Sequence, residues 1–432
     1  MYVKIAHFIN QLRHSFWFVP SLMVLVALLL GYVMQRVDVY YYHELGWELT
    51  DPAGARAILT TVAASAITVA GVVFSITMVV LSSASSQFGP RLIRNFMRHP
   101  QTKWVLGGYI GTFIYCLMVA ATVRGGDSGW TPQLSVTTGG VFGVLSFGLL
   151  IAFVHHVFTF IQAPRIIQDV TDRLNETINI LFPLSALPES RRDALSAGVM
   201  GEVPGEFREV RSEDGGYIQA IGLEDILDWA SENEAMVKID FKPGDYLLPG
   251  EKLGVIWCES SQFDAGRDLV RREIMQGPER TDDQDVEFVI DQLVEIAVRA
   301  LSPGVNDPFT AINCINKLGG VITKIVERGL PGGLLHDKNG VLRVATKTYT
   351  YAGLLDAAFH QIRQNARGVE SVSLSLIDIL ARLKEVDTMA AYQAELRRHA
   401  ELLREDVQKS YTNEKDLQDF MERYSVFEQA SE

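Results

Sequence analysis

Residues 57–90 contain no charged side chain, and hydroxyl groups return along them at helical spacing. At 100° per residue, Thr61, Ser65, Thr68, Val72, Ser75, Val79, Ser82 and Ser86 fall on one stripe roughly 100° wide. A hydroxyl donates and accepts hydrogen bonds without carrying charge. Such a row can therefore replace part of the hydration shell of a passing ion. In that reading Val72 and Val79 form an apolar constriction in a water-filled path. The competing reading is mechanical, because small and hydroxylated residues let transmembrane helices pack closely.

A second polar group lies at Ser302-Pro303-Gly304-Val305-Asn306-Asp307-Pro308-Phe309-Thr310-Ala311, between two helical patterns. Asp307 before Pro308 reads as an N-cap followed by proline at the first helical position. Ser302, Asn306, Asp307 and Thr310 make either a rigid helix–loop–helix corner or a place that holds an anion or receives an intracellular loop. His155 and His156 are adjacent, so they point about 100° apart on a helix and suit a membrane interface better than a shared ligand. The run Asp282-Asp283-Gln284-Asp285, followed by Glu287, lacks the spacing and glycine of a calcium loop. It reads as acid placed at a helix start. Cys116, Cys258 and Cys314 are too scattered for a disulfide framework or a zinc site. No Ser-His-Asp grouping, phosphate loop, dinucleotide fingerprint or HExxH is present, so neither an enzyme nor a metal or cofactor is expected.

The elements that position these groups begin with four apolar segments, 16–34, 57–81, 104–123 and about 134–161. Each is long enough to cross a ~30 Å hydrocarbon core as a helix. No Asp, Glu, Lys or Arg falls inside a segment so bounded, which argues against a carboxylate relay and for passive conduction. The first segment is too long for a signal-peptide core and reads as a signal anchor. The loop 82–103 carries Arg91, Arg94, Arg98 and Lys103 with no acid, whereas 35–56 is acidic. Basic loops stay inside, so both termini are expected in the cytoplasm. Tyr40, Tyr41, Tyr42, Trp47 and Trp130 suit an outer interfacial belt. The pairs Gly107/Gly111 and Gly139/Gly143 predict close helix crossings, within or between subunits.

Charge divides the chain. Residues 1–161 hold nine basic and five acidic side chains; the remainder hold 30 and 47, a net of −17. A field of that sign excludes general nucleic-acid binding. Beyond the membrane part, 1–161, the pattern predicts a helical linker at 162–200, with breaks at Pro183 and Pro188. A small β-barrel-like module follows at 201–260, with strands near 216–221, 236–241 and 246–257. Residues 261–432 read as a cytoplasmic helical domain, with a possible short hairpin around Lys338-Asn339-Gly340 and a frayed, charged end.

Two resemblances follow from quoted residues. Ser82-Ser83-Ala84-Ser85-Ser86-Gln87-Phe88-Gly89-Pro90-Arg91, with Arg299 to Ala311, resembles a large bacterial family of predicted membrane proteins, domain of unknown function 2254. That resemblance covers essentially the whole chain and implies a four-helix inner-membrane protein with a cytoplasmic domain; it carries no activity. Residues 216–256 more weakly resemble a biotinyl/lipoyl-type barrel through Gly244-Asp245 and Glu234-Ala235-Met236-Val237-Lys238. Val237 interrupts the Met-Lys pair, and the Gly-Asp turn follows too soon, so an unmodified module is expected.

These readings lead to a membrane α-helical protein with four transmembrane helices, both termini inside, and a cytoplasmic α+β domain. The function expected is an oligomeric bacterial inner-membrane ion channel or pore. Its partners would be lipid, further copies of itself and inorganic ions. The alternative is a membrane-anchored sensor or scaffold whose cytoplasmic domain binds a ligand or partner.

Overall fold

The structure is a computed structural model and describes residues 17–41, 50–89, 100–124, 131–160, 162–182, 206–386 and 390–430. The basic positions Arg91, Arg94 and Arg98, the belt residues Tyr42, Trp47 and Trp130, and the breaks at Pro183 and Pro188 lie outside the described residues. The chain divides into two compact units, Met1–Arg165 and Ile166–Glu432.

The first unit contains α1 (Phe18–Tyr41), α2 (Pro52–Phe88), α3 (Pro100–Thr122) and α4 (Gln133–Phe160). All four are long and apolar enough to cross a membrane. Helix α3 packs against each of the other three. Glycine permits this. A Cβ at Gly107 would stand 2.6 Å from Met23 Sδ and 3.1 Å from the Pro20 backbone on α1. On α4, one at Gly139 would stand 2.6 Å from Leu59 and one at Gly143 3.0 Å from Val62, both on α2. Both expected GxxxG pairs thus lie at close crossings within the chain.

The helices run further than the apolar segments read from sequence. Helix α1 continues through Arg36 and Asp38, α2 begins before Arg56, and α3 includes a buried Lys103. The expectation of spans free of charge is corrected accordingly: charges sit in the terminal turns. Two of them, Asp38 and Arg56, close backbone groups that a helix end leaves open. Asp38, 7% exposed, accepts the Leu134 amide at 2.8 Å, the Ser135 amide at 2.9 Å and the Ser135 hydroxyl at 2.6 Å. It therefore caps α4 from α1, with a negative charge at the positive end of the helix dipole. Arg56 donates to the Val123 carbonyl at 2.7 Å just beyond α3, and Gln133 donates to the Thr50 carbonyl at 2.9 Å.

The second unit opens with α5 (Ala163–Leu181, its first three residues belonging to the other unit) and then builds two open sheets. The strands are β1 (Glu206–Arg211), β2 (Gly216–Ile221), β3 (Met236–Ile239), β4 (Tyr246–Leu247), β5 (Lys252–Cys258), β6 (Ile274–Gly277), β7 (Leu334–His336) and β8 (Leu342–Thr346). One sheet has the order β1-β5-β3-β8-β7 and the other β4-β2-β6. Neither closes into a barrel, which corrects the expected β-barrel-like module. The reason is long-range pairing. β5, expected to close a barrel, sits between β1 and β3, and β3 then takes β8 as a parallel partner from far along the chain. Lys238 stands on this central strand, paired in register with Val255 and Ala345, rather than on a hairpin turn. Helices α6 (Leu223–Glu232) and α7 (Phe263–Glu273) flank the sheets, whose core includes Val210, Ile218, Ile226, Val237, Ile256 and Val344.

The rest of the unit is helical: α8 (Val286–Ala300), α9 (Pro308–Arg328), α10, α11 (Glu370–Val386), α12 (Ala390–Ser410) and α13 (Glu414–Gln429). Helix α10 is α over Tyr351–Leu355, π over Asp356–His360 and α again over Gln361–Asn365. Residues 414–429 form helix α13, and the end expected to fray includes residues 431–432, which lie outside the described residues. Asn413 caps α13, and Phe420, Tyr424 and Phe427 are buried at one-turn spacing. Lys384, itself buried, donates to the Phe427 carbonyl at 2.6 Å and holds the far end of α13.

Two measurements test this packing. Asp38→Ala orphans the first amides of α4 in a buried site and should cost about 1–3 kcal/mol. In detergent-solubilised protein the melting temperature should fall several degrees, and Asp38→Asn, which keeps one acceptor, should fall less. His399 on α12 is 1% exposed and lies 3.1 Å from Asp356. Burial, then Arg398, pushes its pKa down to about 4 against the opposing pull of Asp356. Between about 6.5 and 4 the unfolded chain binds a proton that the folded chain refuses. Stability should therefore fall on acidification through that window by ~3 kcal/mol, and His399→Gln should flatten this part of the pH profile.

Candidate functional site

Helix α2 has two contrasting faces. Ala55, Leu59, Ala63, Ala66, Ala70, Val73, Thr77 and Val80 are buried against α3 and α4. Nearly opposite, every stripe position is exposed: Thr61, Ser65, Thr68, Val72, Ser75, Val79, Ser82 and Ser86. Within the chain, then, the close-packing surface is alanine and not hydroxyl. Thr77 is a hydroxyl on the packing face, and it donates to the Val73 carbonyl at 2.7 Å. On the stripe, Thr68 donates to the Ala64 carbonyl and Ser86 to that of Ser83, both at 2.8 Å. These bonds use the hydroxyl protons. Val72 is 49% and Val79 69% exposed among them.

The stripe is flanked by lipid-compatible residues, Ile58 and Ile76 on one side and Ile67, Phe74 and Met78 on the other. Its helix of 37 residues is ~55 Å long against a ~30 Å hydrocarbon core. Asp51 starts it by accepting the Gly54 amide at 3.1 Å. Beside it a groove of about 480 Å³ runs between α2 and α4, lined by residues that include Ile58, Val136, Gly140, Val144 and Leu145. His155 is exposed and His156 half-buried, as adjacent helical positions on different faces should be.

In the second unit the corner before α9 is tightly bonded. Asp307 accepts the Thr310 amide at 3.1 Å and its hydroxyl at 2.6 Å. The Ser302 hydroxyl donates to the Arg299 carbonyl at 2.6 Å, and the Ser302 carbonyl accepts the Asn306 amide at 2.9 Å. Asn306 has φ +50, a left-handed conformation that asparagine tolerates better than most residues. The Asp307 carboxylate fills the helix start where an anion would sit, so the corner is a rigid joint. It brings Asp307 to Thr310 by side chain and Ser302 to Asn306 by backbone.

One polar centre escaped the sequence reading. Asp285, 1% exposed, caps α8 by accepting the Phe288 amide at 3.0 Å, and Arg280 grips it at 2.7 and 3.0 Å. Arg280 also reaches Asp291 at 2.8 Å. Burial opposes its charge, but the bonds and charges of Asp285 and Asp291 outweigh burial and raise its pKa. Lys242 lies 2.6 Å from Glu287 and 5.0 Å from the centre of the Tyr349 ring. Gly244, at φ +94, passes so close that a Cβ would stand 2.2 Å from Asp285 Oδ2. Each carboxylate here meets a cation, Arg280 being shared by Asp285 and Asp291, so the centre latches the β3–β4 connection onto α8. The acidic run was visible in sequence as a helix start; its pairing with Arg280, five residues before Asp285, and with Lys242, 45 residues before Glu287, was not.

The family described as "Predicted membrane protein (DUF2254)" matches residues 13–382. Relatives include a protein of Mycobacterium tuberculosis (strain CDC 1551 / Oshkosh) and one of Mycobacterium bovis, both described as uncharacterized. Each is 30% identical over 387 residues, covering 87% of this chain and 73% of the relative. Among solved structures none matches. A match over most of the length, on a chain with four helices fit to span a membrane, means that this protein belongs to the DUF2254 family of predicted membrane proteins.

Proposed function

We propose that the chain is a non-enzymatic channel subunit of a bacterial inner membrane, with several copies placing the outward face of α2 around an ion-conducting path. The observation that carries this reading is the exposed hydroxyl stripe on a helix whose alanine face already does the packing. A polar row left outward by the chain's own bundle is used either by a second copy or by water. A four-helix unit cannot easily enclose a pore, so both uses call for an oligomer. Val72 and Val79 then narrow the path, and the second unit, cytoplasmic by the positive-inside rule, assembles and gates it.

The second unit has its own core and two sheets, which favours a second reading as a membrane-anchored sensor or scaffold. Planar-bilayer recording of the purified protein separates the two. Wild type should give discrete currents, and Val72→Ser/Val79→Ser should raise them several-fold by wetting the constriction. Silence from both, with folded and inserted protein, would overturn the channel and leave the anchored scaffold.

A further inference from the structure

The groove between α2 and α4 in the first unit is apolar along its length and polar at one end. From α4 it takes Gln133, Val136, Gly140 and Val144, three or four residues apart and therefore on one face, and from α2 it takes Ile58. Behind it Gly139 and Gly143 press α4 against Leu59 and Val62, whereas a Cβ at Gly140 would meet nothing within 4 Å. The missing side chain hollows the groove, and Val144 and Leu145 stand exposed beside the hollow.

Its dimensions select an occupant. Gln133 to Leu145 is ~18 Å of helix, close to the ~15 Å that one leaflet contributes to a ~30 Å hydrocarbon core. A volume of about 480 Å³ over that length gives a mean width of ~5 Å. A helix with its side chains is about 10–12 Å across and does not enter. Carbon atoms in contact lie ~4 Å apart, so a single methylene chain does.

The polar end lies where α1 ends and α2 and α4 begin, and Thr50 and Gln133 line it. The Gln133 amide nitrogen donates to the Thr50 carbonyl at 2.9 Å. Gln133 Oε1 and the Thr50 hydroxyl oxygen, in contrast, are buried with no hydrogen-bond partner among the described residues. An amide oxygen only accepts, so the occupant must donate to it, which a quaternary choline cannot do. Segments 35–56 and 124–133, which join the helices at this end, carry five acidic and three basic residues, and Asp51 beside Thr50 is exposed. That balance favours an ammonium over an anionic glycerol head. We infer that the groove holds one acyl chain of a phosphatidylethanolamine, with its ammonium donating to Gln133 Oε1 and its tail along Val136, Gly140 and Val144. The site does not depend on whether α2 lines a pore.

The test is native mass spectrometry of the full chain, delipidated in non-ionic detergent and given equimolar phosphatidylethanolamine, phosphatidylglycerol and phosphatidylcholine. Wild type should retain one phosphatidylethanolamine per chain, at least about threefold over either competitor. Gly140→Leu fills the hollow from a Cβ that meets no clash, so it should lose this lipid with the melting temperature unchanged. Gly148→Leu, equally free of clashes and outside the groove lining, should keep it. Gln133→Met removes the acceptor and should bring phosphatidylcholine up to parity with phosphatidylethanolamine. Equal binding of the three lipids by wild type, or an undiminished phosphatidylethanolamine adduct in Gly140→Leu, would overturn the inference. So would a wild-type oligomer that holds no lipid and dissociates in Gly140→Leu, which would show a second copy at the groove.

Discussion

Close approach of the four helices to one another is the constraint on which the membrane unit rests. Lipid offers no hydrophobic drive for helices to associate, so contact distance decides how much dispersion energy they gain. Gly107 lets α1 come within backbone range, and Gly139 and Gly143 admit Leu59 and Val62. On α2 the matching surface is a row of alanines. Because these small residues complete the packing, the hydroxyl face of α2 is left over. The feature that motivates a pore is in this sense a by-product of how economically the bundle is closed.

Helix existence was legible wherever one local pattern was enough. The span cores, the amphipathic α9 starting at Pro308, and the strands β2, β3 and β5 follow from period and turn chemistry. The outward position of the stripe was not legible, since Ala63 and Ser65 are equally able to face a helix or a lipid. Pairing over long distances was also hidden. β1 and β6 were missed, and β8, though seen as part of a hairpin, gave no sign that its other edge would join β3. In α13 the aromatic spacing at Phe420, Tyr424 and Phe427 was present but outvoted by the surrounding charge.

Buried charge is handled alike in both units. Asp38, Asp285 and Lys384 each sit at the end of a helix and meet backbone groups that the helix cannot satisfy alone. Asp285 has Arg280 as well, which offsets the cost of removing a carboxylate from water. The acidic surface of the second unit is thus compatible with a few interior ions, because each is tied to a defined backbone position.

The clasp between Asp38 and α4 joins the first helix made to the last one made in the bundle. A nascent chain that has released three helices holds a carboxylate in a partly built interior with its donors still on the ribosome. Only when Leu134 and Ser135 emerge does that carboxylate find partners. Until the fourth helix is in place, the Asp38 carboxylate lacks the three donors that hold it in the finished bundle.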